Sequence, residues 1–240
     1  PLVKWINELG PRFYRAFFEA DRWQLYLKGL AVTFEVTLVS IAMGLALGLF
    51  VAMVRTAHDQ QRPGRRNPAL GLVNLICKVY ATVIRGTPMM VQILIWAFVI
   101  LRGERNKVMV GMIGMGVNAG AYISEIIRGG LMSVDPGQSE AGRSLGLGYF
   151  DTMRFIIIPQ AFKNILPSMG NELVTLFKDT SLVNTIGAAE MTYYATRIGG
   201  KTFDYMPPLL IIAAMYLVFV MGLTWLQGRL ERRLRQSDRR

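Results

Sequence analysis

One histidine, His58, and one cysteine, Cys77, are the chain's only side chains of the two types that most often hold zinc. Neither stands near a second His or Cys, so neither a zinc site nor a catalytic triad can be built on them. Cys77 reads as a small core residue and, being alone, excludes an intrachain disulfide. What the sequence offers instead is charge set in apolar surroundings. Asn171, Thr175 and Lys178 lie on one helical face, and Glu172, Thr175 and Asp179 on the adjacent one, so one helix presents both signs. Glu125 and Arg128 do the same in an earlier segment, and Arg85 and Thr87 stand at a proline break. Ionisable groups at membrane depth are costly enough to mark a function by default. Two readings stand: ion pairs that tie a helix bundle together, or polar groups along a solute path.

A second chemistry, recognition, is written in residues 139–161, "SEAGRSLGLGYFDTMRFIIIPQA". Asp135 can cap a helix, Pro136 suits its first position, and Gln138 stands three residues after the cap, as a capping box requires. These signals predict a helix over 136–145. Gly146 and Gly148 then permit a tight, left-handed turn, Asp151 can cap a second short helix, and Pro159 closes it. Around the turn stand Leu145, Leu147, Tyr149 and Phe150, apolar groups that a free loop has no reason to expose. Either they pack on their own bundle or they dock on a partner.

Two motifs imitate nucleotide sites. "ATRIGGKT", 195–202, approximates a phosphate loop, but Pro207 and Pro208 follow too soon for the helix that such a loop needs, and Gly199 and Gly200 read as a loop. "GMGVNA", 114–119, fits a dinucleotide fingerprint, but it lies in a membrane-like segment where small residues serve helix packing.

The elements that must position these groups follow from composition. Hydrophobic residues make up 52% of the chain and charged ones only 18%, too apolar for an ordinary soluble domain. The formal charge is nevertheless +11, and it gathers in two places: Arg55, Arg62, Arg65 and Arg66, and then Arg229, Arg232, Arg233, Arg235, Arg239 and Arg240. Such clusters mark the cytoplasmic face; the lipid-like sequence between them argues against nucleic acid as the partner. The expected fold is all-α, with five transmembrane helices at 29–54, 68–101, 108–127, 162–177 and 209–226. The second is read as one long helix broken at "RGTP", 85–88, a hairpin of two shorter pieces being the rival. Short "RGERNK", 102–107, then faces outside despite its positive charge. This topology puts the N-terminus outside and the C-terminus in the cytoplasm. Residues 1–24 lack the apolar run and cleavage site of a signal peptide and read as an interfacial amphipathic segment. Residues 25–228 form the transmembrane domain, with the loop at about 135–159, and 229–240 form a basic tail.

Glu140 and Ala141, then Gly146, Ile156 and Pro159, keep the spacing of the "EAA" signature of bacterial ATP-binding-cassette importer membrane subunits, which this stretch resembles. Gly142 replaces its usual second alanine, and Ile158 the leucine before Pro159. "RGTPMMVQ" (85–92), "AYISEIIRGG" (121–130), "GQSEAG" (137–142) and "KDTSL" (178–182) with Glu190 are similar, in that order, to the polar amino acid permeases. The resemblance implies the type I importer fold, with the loop as a coupling helix in which Glu140, Ala141, Gly142, Leu145, Gly146, Leu147 and Pro159 meet an ATPase subunit. It implies as partners a cytoplasmic ATPase dimer that binds ATP and Mg, a second permease copy or homologue, an external amino acid-binding protein and inner-membrane lipid. The chain itself is then no enzyme and needs no cofactor. An amino acid asks for donors to its carboxylate and acceptors for its ammonium, so Arg85, Thr87, Gln92, Tyr122, Glu125, Asn171, Glu172, Thr175, Lys178, Asp179 and Ser181 are the candidate path. A secondary carrier or channel without an ATPase is the alternative, though inverted repeats are not evident.

Overall fold

The apolar run around residues 29–54 forms one helix, α2 (Trp23–Asp59), longer at both ends than the predicted crossing because no proline interrupts it. In this computed structural model residues 2–61 and 67–236 are described; Arg62, Arg65, Arg66, Arg239 and Arg240 of the two basic clusters lie outside them. Before α2 comes α1 (Leu2–Phe17), strongly amphipathic, and a 3-10 turn at Glu19–Asp21. The chain continues as α3 (Pro68–Gly86), α4 (Met89–Ile95) and α5 (Lys107–Met132). It then forms α6 (Pro136–Ser144), α7 (Tyr149–Thr152), α8 (Ile158–Asp179), α9 (Met191–Thr202) and α10 (Met206–Gln236). No strand occurs among the described residues, as expected of a chain whose backbone must satisfy itself in lipid.

Four helical stretches are long and apolar enough to cross a bilayer: Glu19–Asp59, Pro68–Gly86, Lys107–Met132 and Met206–Arg233. Helix α8, the expected fourth crossing, has the length, 22 residues, but Lys163, Asn164, Ser168, Asn171 and Glu172 keep it out of that set. The break predicted at "RGTP" is present, with Thr87 extended (φ −120°, ψ 147°) before Pro88. Pro68–Gly86 alone reaches crossing length: Pro68 occupies the first turn, where its missing N–H costs nothing, behind an Asn67 cap, and the helix runs on through Arg85 and Gly86 into the expected break.

The chain divides into two compact units. The first comprises residues up to Val39, Met89–Met115 and Leu176–Gly222. Its core includes an aromatic cluster in which Phe177, fully buried, stands 5.1 Å from Phe34, 5.7 Å from Tyr216 and 6.2 Å from Phe219, centroid to centroid. Glu190, also fully buried, caps α9 by accepting from the Tyr193 N–H at 2.9 Å, and Tyr216 Oη donates to its second oxygen at 3.1 Å. Arg12 of α1 forks onto Asp204 just before α10, Nε–Oδ2 2.6 Å and Nη2–Oδ1 2.7 Å, and so ties the amphipathic segment to this unit. Gly199 and Gly200 lie inside α9 rather than in the expected loop; the Tyr205 ring occupies the space that a Cβ on Gly199 would take.

The second unit comprises Ser40–Pro88, Gly116–Thr175 and the residues from Leu223 onward. Gly44 and Gly48 of α2 let α5 approach so closely that a Cβ at either would stand 2.7 Å from Ala119 or Ile123. This is the small-residue packing expected where lipid supplies no hydrophobic drive between helices.

Candidate coupling loop and polar cavity

The Asp135 side chain accepts from the Gly137 N–H at 2.8 Å and opens α6, which ends one residue earlier than predicted, with Leu145 as its C-cap. The capping box does not close: Gln138 Oε1 instead accepts from Gln160 Nε2 of α8 at 3.1 Å and pins α6 to the helix that follows. Gly146 turns with φ +80°, the left-handed backbone predicted for it. Gly148 does not share that conformation; it caps α7 with extended backbone, and Asp151, expected as the cap, lies within the first turn. Pro159 does not close a helix either. A π-turn at Met153–Ile157 precedes it and absorbs its missing donor, so α7, the π-turn and α8 run on as one rod.

Gly142 is buried where α6 crosses that rod, and a Cβ there would stand 2.8 Å from both Cγ2 and Oγ1 of Thr152. The departure from the usual alanine is therefore matched to Thr152. Beneath the loop, Val134, Ile157 and Ala161 are buried together, with Leu131, Met153, Ile156 and Ile165 packed on them. The upper side is the reverse: Leu145 is 78% exposed, Tyr149 64% and Phe150 71%, with Leu147 half-buried. Glu140, Ala141 and Pro159 are exposed beside them. The loop is thus braced from below and open above, so its apolar turn is not spent on its own bundle.

At the base of the two helices that carry this loop lies a cavity of about 860 Å³ in the second unit, lined by Arg85, Tyr122, Glu125, Gly129, Ser133, Lys163, Asn164, Ser168 and neighbours. Glu125 is its electrostatic centre. It takes a hydrogen bond from Arg55 and stands 3.5 Å from Arg85 Nη1 and 3.6 Å from Arg128 Nε. Arg128 also reaches Asp59 at 3.3 Å, and the Arg85 guanidinium lies over the Tyr122 ring, 5.6 Å from its centroid. Guanidiniums from α2, α3 and α5 thus converge on one carboxylate, so the local pairing of Glu125 with Arg128 is only part of a larger network. Asn164 Nδ2 donates to Ser133 Oγ at 2.8 Å across the loop's base.

Of the candidate path residues, the structure brings together Arg85, Tyr122 and Glu125. Thr87 lies just past α3 and donates its hydroxyl back to the Val83 carbonyl at 2.9 Å. Asn171, Glu172 and Thr175 lie further along α8 in the second unit, Asn171 accepting from Gln227 at 3.3 Å, and do not line the cavity. Gln92, buried in α4, and Lys178, Asp179 and Ser181 belong to the first unit. Lys163, Asn164, Ser133 and Ser168 were missed. Lys163 alone carried a signal, as a charge just inside a predicted crossing. Arg55, assigned to a basic loop, lies on the last turns of α2 because that helix outruns its apolar stretch.

Residues 68–236 match the family described as binding-protein-dependent transport system inner membrane component. The arginine transport system permease protein ArtQ of Bacillus subtilis (strain 168) is 34% identical, over 88% of this chain and 93% of its own length. The glutamine transport system permease protein GlnP of Escherichia coli (strain K12) is 32% identical over the same shares. Among solved structures, an amino acid ABC transporter crystallised with histidines superposes with a TM-score of 0.78 at 36% identity, over 88% of this chain and 94% of that one. The MetNI methionine ABC transporter in an inward-facing conformation shares the fold, with a TM-score of 0.75 at 18% identity, over 90% of this chain and 99% of that one.

Proposed function

Because the chain belongs to the family of binding-protein-dependent transport system inner membrane components, we propose that it is the membrane subunit of an ATP-driven amino acid importer. It forms the translocation path with a second permease subunit, a copy or a homologue, and performs no covalent chemistry of its own. ATP and Mg are bound by a cytoplasmic ATPase dimer, and an external binding protein delivers the amino acid. Helix α8 serves as the fourth of five crossings in the inner membrane, its polar face turned to the path rather than to lipid. The N-terminus then lies outside, and the loop of α6 and α7 lies in the cytoplasm.

The observation that carries this reading is the loop: an exposed apolar turn held rigidly over the Val134–Ile157–Ala161 cluster. A movement imposed on that turn passes directly into α5 and α8, the two helices that flank the cavity. The cavity offers guanidinium and ammonium groups for a carboxylate and Glu125 for an ammonium. Within the second unit Asn171, Glu172 and Thr175 continue the path along α8; in the first unit Gln92, Lys178, Asp179 and Ser181 are the proposed solute-contacting groups.

The test is reconstitution of the complex with its binding protein in proteoliposomes and a survey of polar amino acids for stimulation of ATP hydrolysis. A severalfold rise with one amino acid, accompanied by its accumulation, is the expected result. Uptake that persists without ATP, or hydrolysis that no amino acid stimulates, would overturn the proposal.

A further inference from the structure

The end of α10 is built unlike the rest of the chain. Val218, Met221 and Trp225 follow one another on one face and are 65%, 62% and 55% exposed, and that face continues into Arg229 and Arg232, with Arg233 at its edge. The Arg229 guanidinium lies 4.0 Å from the Trp225 ring centroid. Together Trp225, Arg229, Arg232 and Arg233 line a recess of about 410 Å³, with no carboxylate among the described residues that line it.

From this order of groups we propose that the recess binds the phosphate of an anionic phospholipid, whose acyl chain lies along Met221 and Val218. Three guanidiniums in one recess repel one another unless an anion joins them, and a phosphodiester suits their planar N–H forks. Indole rings settle at the glycerol level of a bilayer. From Met221 to Arg232 the helix rises about 16 Å, at roughly 1.5 Å per residue, enough to run from upper acyl chain to headgroup. A free phosphate would use the arginines and leave the apolar face and the indole without a role; a lipid uses all three levels. The assignment does not depend on which leaflet the helix end occupies.

The full chain, purified in zwitterionic detergent with the subunits that accompany it, is titrated with dioleoylphosphatidylglycerol or dioleoylphosphatidylcholine, and bound lipid is counted by native mass spectrometry. The wild type is expected to retain phosphatidylglycerol preferentially. Replacement of Arg229, Arg232 and Arg233 by Gln should weaken retention by about fivefold per guanidinium, from the roughly 1 kcal/mol each gains at an anionic surface. Replacement of all three by Lys should keep most of it, which separates charge from misfolding. Equal retention of the two lipids, or unchanged retention in the Gln variant, overturns the proposal. Displacement of the lipid by millimolar inorganic phosphate overturns the lipid as the source. Loss of an accompanying subunit with the three Gln replacements, with lipid retention intact, makes the recess a protein contact instead.

Discussion

A single methyl group separates Gly142 from the second alanine of the EAA signature that this stretch resembles, and its neighbour Thr152 accounts for the glycine. The Thr152 side chain is buried and β-branched, with little freedom to turn away from an added Cβ 2.8 Å distant. Gly142→Ala should overpack the crossing of α6 on its rod by about 1–3 kcal/mol, lowering the thermal stability of the complex and loosening its ATPase. Thr152→Ala in the same chain removes both clashing atoms and should restore most of the loss. A double variant no more stable than Gly142→Ala would show that the contact is not what excludes alanine. The cap at Asp135 and the left-handed turn at Gly146 were legible in the sequence, because each is a local rule about one residue's backbone. The match of Gly142 to Thr152 was not, since it exists only once the two helices have crossed.

At the scale of elements, long-range pairing was the hidden quantity. The sequence located the helices through their apolar runs and placed the break at Pro88, but it assigned Pro159 to a helix end. A π-turn keeps the rod continuous there, and no single-residue signal announces it. Pairing of Arg55 with Glu125 likewise links residues 70 apart in sequence, and positive charge near a helix end reads first as topology. The tether of α1 is a second such pair, and it makes a pH prediction. Hydrogen bonding to Arg12 holds the Asp204 carboxyl below the usual carboxylate range. Its contribution is therefore complete above the ordinary aspartate value of about 3.9 and is lost only as pH falls through the lower, folded value. Both side chains are a quarter exposed, so solvent screens the pair and its effect is local. Protection against hydrogen exchange in residues 8–17, corrected for the intrinsic amide rate at each pH, should be unchanged from neutral pH to about 4 and fall below it. In Asp204→Asn it should be lowered throughout; equal protection in the two proteins at neutral pH would mean that α1 is held by other contacts.

For the whole molecule, the proposed function is a division of labour, in which this chain moves and a separate subunit hydrolyses ATP. Composition made the membrane fold legible, and four motifs in order made the family legible. The cavity stayed hidden because its walls come from α3, α5 and α8, whose polar residues are scattered singly along the sequence. In the proposed function, force enters at the turn at Leu145, and the chain's single cysteine allows a direct test. In a Cys77→Ser background, a bifunctional thiol reagent is applied to membranes carrying Leu145→Cys, with Arg105→Cys as the opposite-face control. Leu145→Cys should be joined to a second polypeptide whose peptides contain a phosphate-loop sequence, and Arg105→Cys should not. Capture of that polypeptide from position 105 with none from 145 would contradict the proposed function.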